Sequence, residues 1–565
     1  MKTWKTNLEE TKQRYINWWN HKGIILSMWE HFQEGVKPHA DIAPPAPARD
    51  LSQKWFDPQW RAEYLDWYVA HSSLMADMLP VANTQLGPGS LAAILGGVFE
   101  GGEDTIWIHP DPNFNDEIVF NPEHPNWLLH KELLKACKAK ANGNYFVGMP
   151  DLMEGLDVLA ALKGTDMVLL DTVMQSEVLE QQMQQINDIY FKVFDELYDI
   201  IREGDEMAFC YFSSWAPGKM SKLQSDISTM ISQDDYRRFV QPFIREQCQK
   251  IDYTLYHLDG VGAMHHLPAL LEIEELNAIQ WTPGVGEPQG GSPKWYDLYK
   301  KILAGGKSVM ACWVTLEELK PLLDHIGADG VHLEMDFHNE REVEQAMRII
   351  EEYTGSSSSV SADVHTNQPV GEQDNAQESI RIREEKSQEE DRMKPLYDAI
   401  VAGKLEPAVE VTKDAIAAGV LPQDIINGYM ITAMGEVGQR FQDGKAFVPQ
   451  LLMAGRAMKG ALELLKPLLA GNASATIGKI VIGTVKGDLH DIGKNLVASM
   501  LEGCGFEVIN IGIDVTCDKF VEAVKENKAD ILCMSALLTT TMTYMQDVIR
   551  ALEEAGIRDQ VKVMI

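Results

Sequence analysis

The seven cysteines, at positions 137, 210, 248, 312, 504, 517 and 533, form no closely spaced pairs. A disulfide framework and a zinc ribbon are thereby excluded, and most of the thiols are expected to be small buried hydrophobes. Apolar runs of about 18 residues are missing too, and the first ten residues are polar and charged rather than leader-like. A membrane span and a secretory signal are excluded on that pattern, and a cytoplasmic location is expected. Positive charge is scarce: 50 Lys and Arg stand against 84 Asp and Glu, for a formal net charge of -34. Phosphate backbones and anionic lipid heads would be repelled, so neither nucleic acid nor membrane is an expected partner. Small molecules and other proteins remain.

What is present is length and ordinary globular apolarity. The chain has 565 residues, 45% of them hydrophobic, which is too long for one core and predicts three or four domains. From Gly355 to about Asp391 the sequence opens with Ser356-Ser357-Ser358-Ser359 and continues rich in Gln, Glu and Asp, almost without large apolar side chains. Such a segment cannot bury enough surface to fold, so residues 354–391 are expected to be a disordered acidic tether. It separates a long first block, 1–353, from a helical block, 392–474, and a final sheet domain, 475–565. In the helical block apolar residues recur at three- and four-residue steps, as at Leu451, Leu452, Met458 and Leu462. After Gly478, strand-like runs (Lys479 to Val485, Phe506 to Gly512, Ile531 to Leu537, Val561 to Ile565) alternate with helix-like ones. That alternation predicts an α/β domain of flavodoxin-like, doubly wound type.

The loop after the first of these strands reads Gly487-Asp488-Leu489-His490-Asp491-Ile492-Gly493-Lys494-Asn495. Ligands of open parallel sheets dock outside the carboxyl ends of strands, and a glycine there lets a bulky group approach the backbone. His490 can offer a neutral imidazole nitrogen to a metal while Asp488 accepts the proton on the other nitrogen. A lone loop histidine can equally be a hydrogen-bonded structural residue. Asp488-x-His490-x-x-Gly493, with Ser535-Ala536-Leu537 one strand further on and Thr539 and Thr541 behind it, resembles the cobalamin-binding domain of corrinoid methyltransferases, of methionine synthase type. Met434-Gly435-Glu436-Val437-Gly438 and the residues on to Met453 resemble the four-helix cap that precedes that domain. The resemblance implies cobalamin as cofactor and His490 as its axial cobalt ligand. It places Asp488, Gly493, Ser535, Leu537, Thr539 and Thr541 around the cofactor and its nucleotide tail. That family continues beyond a fourth strand, where this chain stops, so the domain is expected to be truncated at its C-terminus.

Between about Tyr145 and Asp336, six short apolar runs, among them Met207 to Phe212, Tyr253 to Leu258, Ser308 to Val314 and Gly330 to Met335, alternate with helical stretches. Repeated β and α units over this length predict a (β/α)8 barrel with its active site at the carboxyl ends of the strands. There the chain places Asp151, His257, Asp259, Cys312, Glu334, Asp336 and His338. His257 and Asp259, alternate residues at one strand end, can both face the barrel mouth. Glu334 is the expected third member of the set and Cys312 its competitor. Zinc accepts all four donors; the other reading is that they bind substrate by hydrogen bonds without a metal.

Pro150-Asp151-Leu152, Leu223-Gln224-Ser225-Asp226 and Tyr256-His257-Leu258-Asp259-Gly260 resemble the uroporphyrinogen decarboxylase superfamily, in its branch of zinc-dependent methyltransferases that serve corrinoid proteins. That branch's His-x-Cys is here His257-x-Asp259, and the harder oxygen ligand favours an O- or N-linked methyl donor over a thiol. Together the resemblances imply a fused corrinoid methyltransferase, moving a methyl group from a small methylated substrate to Co(I) cobalamin held on the same chain, where a tether makes the encounter intramolecular. A second methyltransferase with a tetrahydrofolate or thiol acceptor, and a reductive activator, are the implied partners. The rival readings are a corrinoid carrier or B12-responsive protein whose barrel only binds a ligand, and a porphyrin decarboxylase, which the acidic chain and cobalamin motifs disfavour. Trp281 and Trp313, at strand ends, are candidates either for the wall of an aromatic pocket or for core.

Overall fold

The computed structural model describes residues 3–354 apart from 103–104, 111–113, 154 and 285, and residues 387–565 apart from 470–477, 489–491, 504 and 537–538. The chain divides into two compact units, Met1–Ser357 and Ser358–Ile565.

The first unit is a layered α/β structure. Its principal strands are β1 (Ile24–Ser27), β2 (Val81–Ala82), β3 (Phe146–Met149), β4 (Met207–Phe209), β5 (Ser214–Ala216), β6 (Met220–Gln224), β7 (Tyr253–Asp259), β8 (Ala278–Thr282), β9 (Ser308–Val314) and β10 (Val331–Met335). Six of them make an entirely parallel sheet in the order β1-β10-β9-β8-β7-β6, and four make a second sheet, β2-β3-β4-β5. Among the described residues no strand pairing joins the two into a closed ring. The parallel strands are buried almost throughout because helices cover them; in β9 only Trp313 is not fully buried. Sequence also dictates the covering helices. In Ser176–Ile201 buried residues recur every three or four positions from Leu179 to Ile201. Leu316–Ile326 begins with a Thr315/Glu318 capping box and ends before Gly327, whose φ of 87° few other residues tolerate.

The apolar runs anticipated six of these ten strands but not β1, β2, β5 or β6. The first three of these are very short, and β6 reads Met-Ser-Lys-Leu-Gln, too polar for the pattern to register. The run expected from Met207 to Phe212 breaks after Phe209: Phe212 adopts φ 61°, and the chain returns antiparallel through β5. The N-terminal helix Leu8–Trp19 is pinned to the sheets by its tryptophans, Trp18 Nε1 donating to the Val309 carbonyl at 3.3 Å and Trp19 Nε1 to that of Trp215 at 3.0 Å.

In the second unit the helices Ser387–Val401, Leu405–Ala417, Ile431–Gln442 and Val448–Leu469 surround a core that includes Leu396, Ile400, Met430 and Leu465. Gly460 lets Leu405 pack against the last of them, since a β-carbon there would overlap the Leu405 methyl. Four parallel strands follow, β11 (Lys479–Thr484), β12 (Glu507–Asn510), β13 (Ile531–Ser535) and β14 (Lys562–Met564), in the order β12-β11-β13-β14. This is the doubly wound arrangement anticipated, and the helices precede and pack on it: Met500 joins Val437, Leu451 and Ala454, and Lys459 pairs with Glu502 at 3.0 Å. No described helix is long and apolar enough to cross a membrane.

Candidate functional sites

In the first unit polar side chains gather where the parallel strands end. Register places Gln224, His257 and Gln280 side by side on β6, β7 and β8, with Cys312 beside Glu334 on β9 and β10. His257 and Asp259 do meet, as their alternate spacing predicts. The third partner is Asp226, not Glu334: among the described residues one ligand atom each from Asp226, His257 and Asp259 lie within 4.8 Å of one another. Two strands separate β10 from β7, which puts Glu334 and Cys312 out of the cluster. Asp226 opens the short helical turn Asp226–Met230, whose backbone N–H groups at Asp226 and Ile227 donate to the buried Asp157 carboxylate at 2.8 and 3.0 Å. Its only signal in sequence was its place in the segment Leu223 to Asp226.

Cys312 and Glu334 nevertheless belong to the same network. The His257 Nδ1 hydrogen-bonds the Gln280 carbonyl oxygen, while the Gln280 amide donates to Thr282 Oγ1 at 2.8 Å and to Cys312 Sγ at 3.1 Å. The Cys312 thiol in turn acts on Glu334. Gln280, an uncharged residue in an apolar strand, was invisible as a functional candidate. It fixes one ring nitrogen of His257 as the N–H donor and leaves Nε2 as a lone pair for the cluster.

Electrostatics sharpen the picture. Burial, helped by the Lys222 ammonium, lowers His257 to about 3, so the ring is neutral. Burial raises Asp259, against the opposing pull of Lys222. Asp226 keeps an exposed edge on the cleft but is otherwise enclosed, and desolvation followed by the charge of Asp157 pushes it well up. Lys222 is buried and paired with Asp151 at 2.5 Å, so Asp151 serves as counter-ion and not as a member of the cluster. Two carboxylates and one neutral imidazole, reluctant to remain charged without company, form a donor set that suits a divalent cation. His338, by contrast, is exposed and pairs with Glu342 at 3.3 Å.

Glu334 is buried, neither carboxylate oxygen has a nitrogen or oxygen partner among the described residues, and burial raises it to about 8 from an ordinary 4.5. Folded, it holds its proton up to about pH 8; unfolded, it loses it near 4.5. It therefore subtracts stability progressively between those values, by at most about 1.4 kcal/mol per pH unit, and by a constant amount above. Glu334→Gln is expected to melt at a higher temperature than the native chain at pH 8, with the gap vanishing near pH 4. A gap that does not change across that range would mean the carboxylate is ionised in place.

In the second unit the corresponding feature is the edge between β11 and β13, where strand order reverses. Thr484 is in register with Ser535, and the Val485 N–H donates to the Ser535 carbonyl at 3.0 Å. Gly487 then turns at φ 81°, its N–H donating to Asp514 Oδ1 at 2.8 Å. Asp488 follows, fully buried, and its Oδ2 accepts a hydrogen bond from Thr541 Oγ1 at 2.7 Å, joining residues far apart in sequence. Ser535 is half-buried at the same edge, and Gly493 is exposed in the first turn of the helix Ile492–Gly503. Thr539 opens the helix Thr539–Glu554. His490 and Leu537 lie outside the described residues.

Residues 478–565 match a family model described as a B12 binding domain, and residues 393–466 match a second model of the same description. Trimethylamine corrinoid protein 1 of Methanosarcina acetivorans is 45% identical over 170 residues, 30% of this chain and 79% of that protein. Dimethylamine corrinoid protein 1 of the same organism is 48% identical over 161 residues, 27% of this chain and 76% of that protein. The chain belongs to the B12-binding corrinoid proteins. Among solved structures, the Methanosarcina barkeri methanol:cobalamin methyltransferase complex MtaBC is 34% identical over 32% of this chain and 71% of that one, with a TM-score of 0.27.

This corrinoid protein takes cobalamin as its cofactor and has a corrinoid-binding role in methyl transfer, with its B12-binding part fused behind a large N-terminal unit. The geometry fits the cofactor. A buried carboxylate pinned by a hydroxyl at a strand-order reversal is a suitable proton acceptor for an imidazole that ligates through its other nitrogen. On the helix Ile431–Gln442, β-carbons at Gly435 or Gly438 would meet nothing within 4 Å among the described residues, and Ile431 and Phe441 are exposed, which leaves a low apolar face without a neighbour among them.

Proposed function

We propose that the chain is a fused corrinoid methyltransferase whose N-terminal unit is a uroporphyrinogen decarboxylase-like methyltransferase of (β/α)8 type, with 1–353 as that module, 354–391 as tether, 392–474 as helical cap and 475–565 as cobalamin domain. The observation that carries the reading is the Asp226, His257 and Asp259 cluster at the carboxyl ends of parallel strands. Zinc bound there would supply a Lewis acid for the heteroatom that carries the methyl group. Three protein ligands leave a position open for that heteroatom. Within the chain, Gln280 holds the His257 tautomer, Asp157 orients the backbone that carries Asp226, and the Lys222–Asp151 pair sets the local field.

Bound cobalamin would supply a reduced cobalt nucleophile for the methyl carbon. His490 would ligate the cobalt, Asp488 and Thr541 would fix the imidazole proton, and Ser535, Leu537 and Thr539 would border the nucleotide tail. The relatives' names associate those proteins with trimethylamine and dimethylamine; for this chain an O- or N-methyl donor fits the oxygen-rich ligand set. A second methyltransferase and a reductive activator complete the cycle.

The test is a donor screen on the full chain, loaded with cobalamin, supplied with zinc and reduced to Co(I). A donor-dependent spectral change of the cobalamin without any added protein is expected. If every donor fails while a separate methyltransferase methylates the same cobalamin, the chain is a carrier and its N-terminal unit is no methyltransferase.

A further inference from the structure

Beside the cluster lies a cavity of about 580 Å³ whose walls carry the aromatic rings of Trp29, Trp55, Trp60, Tyr64, Tyr68 and Tyr211. One wall is the helix Pro58–His71, which presents Trp60, Tyr64 and Tyr68 at four-residue steps, with Trp60 and Tyr64 stacked at 5.4 Å. Tyr211 closes another side. Its ring packs edge-on against that of His257 with centroids 6.1 Å apart, so the cavity abuts the cluster through one side chain. A volume of this size, lined by aromatic rings with a few polar and charged groups, is typical of a small-molecule site.

The charge inside is unusual. Arg61, from the same helix, lines the cavity and is buried, yet among the described residues no carboxylate lies within ion-pairing distance of it. Its Nη2 donates to the carbonyls of Asn83 and Gln85 at 3.2 and 3.1 Å, which satisfies hydrogen bonding but not charge. A buried cation without a counter-ion is costly in a folded chain, and a ligand that brings a negative charge relieves it. Lys54 also lines the cavity, and both it and Arg61 sit over the Trp55 ring, at 5.2 and 5.3 Å. Glu30 puts one carboxylate on the lining as well, outside ion-pairing distance of Arg61. Aromatic walls with a carboxylate would also suit a methylated ammonium ion. The buried Arg61, which Glu30 does not pair with, and the two cations already over Trp55 favour an anion instead.

Resting on the methyl-transfer reading above, we propose that this cavity is the donor pocket and that its substrate class is an aromatic methyl ether bearing a carboxylate. The ring lies between the Trp60, Tyr64 and Tyr68 wall and Tyr211, the carboxylate meets Arg61, and the ether oxygen points toward His257.

Binding separates this assignment from the reaction. By calorimetry on the full chain, 4-methoxybenzoate and benzoate are expected to bind, anisole to bind about tenfold or more weakly for want of a charge-assisted hydrogen bond, and tetramethylammonium not to compete. Arg61→Gln should abolish the preference for 4-methoxybenzoate over anisole. The comparison of ligands on the native chain stands even if that variant does not fold. Equal binding of anisole and 4-methoxybenzoate, or tighter binding of tetramethylammonium, overturns the proposal. Binding of 4-methoxybenzoate without methyl transfer from any donor would instead count against the enzyme reading and leave the pocket assignment standing.

Discussion

On the proposed methyltransferase reading, replacing His257 with alanine is expected to abolish divalent-metal binding by the N-terminal unit and to lower methyl transfer to the bound cobalamin by about 100- to 1000-fold. The magnitude follows from the several kcal/mol that a Lewis acid contributes, at about tenfold per 1.4 kcal/mol. Asp226→Ala should behave in the same way, because Asp226 completes the cluster. Gln280→Leu leaves every ligand in place but frees the imidazole tautomer, so a smaller loss of about 10- to 100-fold is expected. Cys312→Ser and Glu334→Gln should keep their metal. Metal analysis of the purified full chain, read beside the rate, checks the set. Full metal content in the His257 and Asp226 variants, or its loss in the Glu334 variant, would reassign the ligands.

The second large effect belongs to His490. His490→Ala is expected to remove the absorption signature of a cobalamin ligated by protein imidazole and to leave a water-ligated or self-ligated spectrum. Asp488→Ala should weaken the same signature without erasing it, as loss of a buried carboxylate that holds the imidazole proton costs about 10- to 100-fold in metal affinity or activity. Thr541→Val removes only the 2.7 Å bond to Asp488 and should have a smaller effect in the same direction. An unchanged spectrum in His490→Ala would sink the axial assignment.

How much of this could be read in the sequence differs between the units. In the second, strand-like apolar runs alternating with helix-like ones marked the strands and the doubly wound class, and a short motif located the loop that carries Asp488. The motif is local, so spacing sufficed. Only the pairing of Asp488 with Thr541, an event of tertiary structure, needed coordinates. In the first unit His257 and Asp259 were legible because alternate residues on one strand share a face. Their partner was not. Asp226 follows a strand too polar to be recognised, and choosing between Asp226 and Glu334 requires the strand order, which no single-chain periodicity contains. Gln280 was hidden for a different reason: an amide in an apolar strand looks like a packing compromise until its neighbours are known. The cavity was legible least of all, since its walls come from helix, loop and strand ends spread between Trp29 and Ser213. Of the two strand-end tryptophans, Trp281 is buried core, while Trp313 stacks on Trp29 of the cavity wall at 6.1 Å.

The pairing of β1 with β10 has a bearing on how the protein is made. In the paired sheet Ile24 lies opposite Val331, and β1 has no other strand beside it among the described residues. At roughly 5–20 residues per second on the ribosome, the first strand waits on the order of 15–60 s for its neighbour to be synthesised. Such distant closure is slow compared with local pairing. The N-terminal unit thus completes its sheet late, while the strands that cradle Asp488 find their neighbours within about a hundred residues. The exposed edge of a waiting strand invites association with other chains, and the tryptophans of the preceding helix, whose own carbonyl anchors lie on Val309 and Trp215, cannot shield it until those segments emerge.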